Sequence, residues 1–152
     1  HDLSKIPALI QLSEQNPTKI ISGMPVYDES VPTNRKLWRY ATHILVWIHT
    51  LSFEIKDSMC GFRIYPLKKT LEVIDSQPQF GQRMDFDIEI LVRSQWAGLS
   101  VDQLPVGVRY PIDGVSHFQL FNDNFLITKM HFRLFFGMLM HSPKLIFRKF
   151  VA

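Results

Sequence analysis

Apolar positions recur along this chain at two periods, and they divide it into alternating helices and short strands. Leu3, Ile6, Leu9 and Ile10 repeat at helical spacing behind Asp2 and Ser4, either of which can cap. A helix is therefore predicted to about Glu14, ended by Asn16-Pro17. Thr18 to Gly23 reads as a short buried strand closing on a glycine, and Met24 to Asn34 as a loop rich in turn formers. From Arg35 to Leu51 the apolar set Leu37, Tyr40, Ile44, Val46, Trp47 and Leu51 covers much of a helical circumference, which predicts a largely buried helix. Ser58 to Tyr65 is a turn entering a short strand, Pro66 opens a helix to about Asp75, and Gln77 to Arg83 is a polar loop. Phe86 to Ala97 is a helix with Ile88, Leu91, Val92 and Trp96 on one side, stopped by Gly98. Val101 to Tyr110 alternates like a strand, with Pro105 placing it at an edge or bulge. After a turn from Pro111 to Ser116, the aromatic-rich stretch Phe118 to Met140 reads as a helix, which Pro143 breaks before the basic, apolar tail Lys144 to Phe150.

Helices alternating with short strands imply an α/β layer arrangement. The length of 152 residues suits one domain with a real core, and 46% hydrophobic with 20% charged residues is globular. No glycine-rich phosphate loop is present, so a P-loop or dinucleotide fold is unsupported. The single cysteine, Cys60, excludes an internal disulfide and fits a reducing compartment. The longest apolar stretch, Ala41 to Phe53, is interrupted by His43 and His49 and is shorter than the ~20 residues a spanning helix needs. The first residues carry neither a basic start nor an apolar run, so no signal peptide is read there. A net charge of +3 favours anionic partners and equally fits an ordinary basic surface. The basic residues are spread out rather than interleaved with aromatics on one face, which argues against nucleic acid.

Three constellations could carry chemistry. In Asp57-Ser58-Met59-Cys60-Gly61-Phe62-Arg63 a carboxylate precedes a glycine turn and an arginine, an arrangement able to hold a sugar hydroxyl or phosphate oxygen; it also reads as a helix-to-strand connection with a surface salt bridge. In Met84-Asp85-Phe86-Asp87-Ile88-Glu89 three alternate carboxylates open a helix, either as a cap or with one of them as a general base. In Arg109 to His117 an arginine, a glycine turn and a Ser-His pair could contact a diphosphate or a metal, or form a plain polar loop. The histidines and the lone cysteine show no zinc spacing, and no nucleophile elbow occurs.

Taken in order, these segments resemble the family-2 glycosyltransferases, in particular the dolichyl-phosphate mannose synthase-like and bacterial lipid-linked branch. Asp57 with Gly61-Phe62-Arg63 is similar to that branch's acidic residue and Gly-Phe-Arg; Phe86-Asp87-Ile88-Glu89-Ile90-Leu91, Gly98 and Leu104-Pro105-Val106 are similar to its acidic helix, glycine and Val-Pro strand. Arg109, Gly114 and Ser116 match its late Arg-x-x-Gly-x-Ser-Lys element, and Ile20-Ile21-Ser22-Gly23 followed by Arg35 its Gly-Ser-Arg strand and later arginine. The chain departs from the pattern at Met24-Pro25 and at His117, where the family carries lysine.

The resemblance implies an α/β fold that is the C-terminal part of a GT-A, Rossmann-like glycosyltransferase, with helices on a short mixed sheet and a helical C-terminus. Residues 1–117 would be the acceptor-side part of the catalytic domain and 118–152 a basic amphipathic segment. His1-Asp2 looks like the residues just after the family's Asp-x-Asp metal motif, so the chain alone is expected to be inactive. The implied reaction is an inverting transfer from a nucleoside-diphosphate sugar to a polyprenyl-phosphate, lipid or glycan acceptor, with Mg or Mn in the intact enzyme. Asp87, then Asp85, would be the base, and Asp57 would orient acceptor or donor. Arg63, Glu89, Arg109, Ser116, His117 and Arg35 would contact substrate, with His117 as the candidate metal ligand. A cytoplasmic location at the inner membrane face is implied, with peripheral contact through Phe118 to Phe150; that stretch also reads as a core helix with a charged end. Dimerisation through an exposed sheet edge is a further expectation, and a noncatalytic membrane-surface or protein-interaction domain is the alternative.

Overall fold

A computed structural model describes residues 1–27, 33–77, 79–109 and 119–151. A turn of 3-10 helix at Leu3–Lys5 leads into α1 (Ile6–Gln15), followed by β1 (Ile20–Tyr27), α2 (Thr33–Thr50), β2 (Arg63–Ile64), α3 (Leu67–Asp75), α4 (Met84–Ala97), β3 (Val101–Val108) and α5 (Leu120–Val151). The molecule is α/β, with helices on a small mixed sheet of order β2-β1-β3. β1 runs antiparallel to β2 and parallel to β3, in register from Ile20↔Val101 to Tyr27↔Val108.

The sheet differs from the sequence expectation in its length. β1 continues through Met24 and Pro25, where a loop is predicted. Pro25 is tolerated because β2 pairs only with Ile21 and Ser22, so no described strand pairs with β1 on the side where the missing N–H would point. Gly23 sits at the crowded middle: a Cβ there would lie 3.2 Å from Val106 Cγ2 and 3.3 Å from Cys60 Sγ. The glycine thus lets the Cys60 loop close down on the sheet.

The core gathers Ile20 and Val101 from the sheet, Val46 from α2, Val73 from α3, Ile88, Leu91, Val92 and Trp96 from α4, and Met130, Leu134, Met138 and Leu145 from α5. The expected apolar side of α4 is therefore the buried one, and Gly98 closes that helix in the left-handed region at φ 100°. Two expectations are corrected. Helix α2 is not largely buried: Leu37, Trp38, Tyr40, Ile44, Leu45 and Ile48 are exposed, and only one side packs inward. Helix α5 does not break at Pro143 but runs to Val151. Pro143 cannot donate to the Leu139 carbonyl, and the Ser142 hydroxyl donates to that oxygen instead at 2.8 Å. Of the predicted apolar side of α1, only Leu9 is buried.

Helices α2 and α5 meet through two imidazoles, with His49 Nε2 3.1 Å from His131 Nδ1. Burial, and secondarily the charge His131 would carry, pushes the pKa of His49 down to about 4; burial does the same to His131, also to about 4. Both groups bind protons more weakly when folded than when unfolded, where the value is 6.5. Their contribution is therefore complete above pH 6.5 and is lost as pH falls toward 4. Stability to thermal unfolding is expected to stay level above about pH 7 and to weaken by on the order of 2 kcal/mol per imidazole by about pH 5. A His49→Gln variant should show a flatter acid limb, and an unchanged limb would refute the assignment.

Candidate functional site: a cleft at the carboxyl ends of the parallel strands

In open α/β sheets, ligands bind in the crevice beyond the carboxyl ends of parallel strands. Here β1 ends at Tyr27 and β3 at Val108, and a cleft of about 330 Å³ opens there. Its lining includes His1, Tyr27, Arg39, Met59, Cys60 and Arg109. The Asp57–Arg63 segment thus contributes its middle residues to the wall, and Arg109 contributes from the end of β3. Arg109 is exposed and no described residue pairs with its guanidinium. The described residues of the lining include cationic groups and no carboxylate, which suits an anionic ligand.

Asp57 is buried behind this wall. Arg39 grips its carboxylate with two bonds of 2.7 Å, from Nε to Oδ2 and from Nη2 to Oδ1. His43 Nε2 lies 3.2 Å from Oδ2, and the backbone N–H groups of Met59 and Cys60 donate to Oδ1 at 3.0 and 2.8 Å. Burial alone would raise the pKa of this carboxyl. The hydrogen bonds from His43 and Arg39, and their charges, outweigh that and hold it well below the usual carboxylate range. Asp57 is therefore a permanent anion that folds its own loop and fixes Arg39 at the cleft. The salt bridge is a buried one, not the surface pair that composition suggested.

The connectivity Ser58–His43–Asp57, with Ser58 Oγ 3.2 Å from His43 Nδ1, has the order of a hydrolytic triad. Ser58 is fully buried, however, so no substrate carbonyl can reach its hydroxyl. The relay serves to orient the His43 ring.

Arg63 clamps the other end of the loop. Its Nη2 donates to the Ser58 carbonyl at 2.8 Å and its Nη1 to the Asp87 carbonyl at 2.6 Å and the Tyr65 hydroxyl at 3.0 Å. These bonds tie the loop to the start of α4, so Arg63 is committed to the protein rather than offered to a substrate. Buried Arg63 Nε has no partner among the described residues.

The three carboxylates of α4 have separate fates. Asp85 is buried and accepts from the Arg83 N–H at 3.1 Å, which is a capping role rather than that of a base. Glu89 is fully buried: Arg93 Nε and Arg133 Nε donate to Oε1 at 2.8 and 3.0 Å, while Arg133 Nη2 and the Gly81 N–H donate to Oε2 at 2.5 and 2.9 Å. It holds α4, α5 and the preceding loop together and cannot meet a substrate. Arg93 extends the network to the Gln77 side chain. Asp87 alone of the three is half-buried with no hydrogen bond to its carboxylate from any described residue. It lies beside Gly61, where a Cβ would be 3.7 Å from Asp87 Oδ2, next in sequence to the cleft residue Cys60.

Ser116, His117 and Gly114 lie outside the described residues, as does the side chain of Arg35. Among the described residues no group of three His, Cys, Asp or Glu could hold a metal ion. No described helix is long and apolar enough to cross a membrane. Arg39 and His43 were not foreseen as site residues. Their signal was the spacing of Arg35, Arg39 and His43 at successive fourth positions, a basic stripe on one face of α2.

Comparison with protein-family models, with curated proteins and with solved structures gives no match to this chain.

Proposed function

We propose that the chain is the acceptor-side part of an inverting, GT-A-type glycosyltransferase that uses a nucleoside-diphosphate sugar. One observation carries the reading. The Asp57–Arg63 loop and Arg109, far apart in the chain, meet at one cleft, and Asp87, beside Gly61 of that loop, is the one α4 carboxylate without a hydrogen bond from any described residue. The arginine-lined cleft supplies positive charge where a departing diphosphate would develop negative charge. Asp87, at the amino end of α4, accepts the proton of an acceptor hydroxyl. Asp57, Arg63, Asp85 and Glu89 act by holding these two elements in place. The Mg or Mn of such enzymes finds no donor set among the described residues, so no step is assigned to a metal on this chain.

The test is turnover by the intact enzyme. Supplied with a panel of nucleoside-diphosphate hexoses, it is expected to release nucleoside diphosphate only when a lipid-phosphate or glycan acceptor is present, with inversion at the anomeric carbon. The coding sequence ahead of His1 is expected to show an Asp-x-Asp after a strand. No release with any donor, together with no sugar-nucleotide binding by calorimetry, would sink the reading and leave a noncatalytic domain.

A further inference from the structure

A second pocket lies at the far end of α4 from the cleft. At about 1.5 Å per residue, Trp96 stands roughly 14 Å along the helix from Asp87. The pocket holds about 100 Å³. Ser76 and Gln77 come from just past α3, Arg93 and Trp96 from α4, and His141 and Lys144 from α5. Its lining shares no described residue with the cleft. It includes an arginine, a lysine and a histidine, and no carboxylate among the described residues.

Helix ends account for some cationic walls, because the carbonyls of a last turn attract positive charge. Here those carbonyls have other donors. The Ser76 N–H donates to the Glu72 carbonyl at 3.1 Å, the Ser76 hydroxyl to that of Val73 at 2.8 Å, and the Gln77 N–H to that of Ile74 at 3.2 Å. The Gln95 carbonyl accepts from the Gly98 N–H and from Arg148 Nη1, both at 3.0 Å. The Lys144 ammonium has no hydrogen bond or ion pair to any described residue. Of the two acidic residues of α3, Glu72 pairs with Lys69 at 3.7 Å, and Asp75 is exposed and outside the lining. Arg93 shares the Glu89 carboxylate with Arg133, which leaves one positive charge over before Lys144 is counted. Arg93 reaches Glu89 with Nε and Nη2 and the Gln77 side-chain oxygen with Nη1, so the second hydrogen on each Nη nitrogen remains for a ligand. His141 Nδ1 lies 2.9 Å from the Gly137 carbonyl, and its ring stacks on Trp96 with centroids 4.7 Å apart. That leaves His141 Nε2 without a partner among the described residues.

We propose that this pocket binds a tetrahedral oxyanion: free phosphate, or the phosphate group of a small monoester. Its volume equals that of about three waters at ~30 Å³ each, which accommodates one such group. It is well below the ~300 Å³ at which pockets for larger ligands begin, so a nucleotide does not fit. The guanidinium of Arg93 and the ammonium of Lys144 supply charge-assisted hydrogen bonds, and the Gln77 amide nitrogen supplies a neutral one. A bound anion would join α3, α4 and α5 through these side chains. The inference stands apart from the glycosyl-transfer reading, because it uses none of the residues assigned to the transfer.

The test is titration of the chain with inorganic phosphate, and separately with glycerol 3-phosphate, at an ionic strength held constant with chloride. Nuclear magnetic resonance of the His141 ring and the Trp96 indole reports on the pocket. Both signals are expected to shift and to saturate with phosphate, with a Kd of about 1 mM or below. Saturation by phosphate alone assigns the free ion, and equal or tighter binding of glycerol 3-phosphate assigns the monoester. Lys144→Gln removes an exposed side chain, so far-UV circular dichroism should match the parent, and the affinity should fall about tenfold. Arg109→Gln alters the cleft and should leave the His141 and Trp96 response intact. No saturable shift with either anion, or an equal shift with chloride, would overturn the proposal. So would a response that survives Lys144→Gln undiminished, or one that Arg109→Gln abolishes, which would place the anion in the cleft.

Discussion

On the proposed glycosyl-transfer reading, replacing Asp87 by asparagine in the intact enzyme is expected to lower transfer to a hydroxyl acceptor by about 100-fold or more, the range in which a general base contributes. Asparagine keeps the shape of the side chain but cannot take a proton. Because no described residue bonds to the Asp87 carboxylate, the melting temperature should move by no more than about 2 °C. Donor binding, measured by calorimetry, should be unchanged. The size of the kinetic effect also reports the acceptor. A lipid phosphate is already anionic and has no proton to surrender, so for that acceptor the loss should be under about tenfold. Undiminished turnover on a hydroxyl acceptor would remove Asp87 from the mechanism. The companion change Asp85→Asn should show the opposite balance, because Asp85 is buried and bonded to the Arg83 backbone.

Glu89→Ala should be the most damaging single change to the fold. The carboxylate has no solvent exposure and sits between Arg93 and Arg133, with the Gly81 N–H as a further donor. Removing it leaves two guanidinium groups facing each other without their common counter-ion. Breaking a buried ion pair from one side costs about 3–5 kcal/mol. For a chain of this length that corresponds to a fall in Tm of roughly 6–20 °C. Arg133→Met should cost less, since Arg93 still neutralises Glu89. A triple change of Glu89→Leu, Arg93→Met and Arg133→Met should recover much of the loss, because apolar side chains of similar volume can replace a buried network. Calorimetric melting of the three variants decides this, and a Glu89→Ala protein as stable as the parent would refute the network's role.

The sequence revealed regular elements wherever one local rule acted without a rival. Helix α4 was legible because Ile88, Leu91, Val92 and Trp96 keep one period and Gly98 supplies the stop. Two other elements were decided by partners that no local window contains. At Pro143 the breaker rule lost to a helix anchored on both sides, by Met138 and Leu145 in the core, with Ser142 standing in for the missing donor. At Met24 and Pro25 the turn signal lost to the pairing with β3. The exposure of α2 was misread for a different reason: apolar residues around a whole circumference do not say which half meets the core.

The same division holds for the site. The Asp57–Arg63 segment stood out, but its electrostatic partner Arg39 comes from another element and is visible only as a contact through space. Asp85, Asp87 and Glu89 are alike in sequence and alternate along one turn and a half of helix. Their different fates follow from what each meets: the Arg83 N–H, the backbone of Gly61 with no hydrogen-bond donor among the described residues, or two arginines from separate helices.

The pairing of β1 with β3 has a consequence for how the chain assembles. Ile20 meets Val101 across the length of chain that contains α2, β2, α3 and α4. Closing so large a loop carries an entropic cost before the first rung of the ladder forms. Helices α3 and α4, neighbours in sequence and in contact, carry no such cost. Assembly is thus expected to begin among the helices, with the parallel pair closing late. The cleft at its carboxyl ends would then be among the last features to take shape.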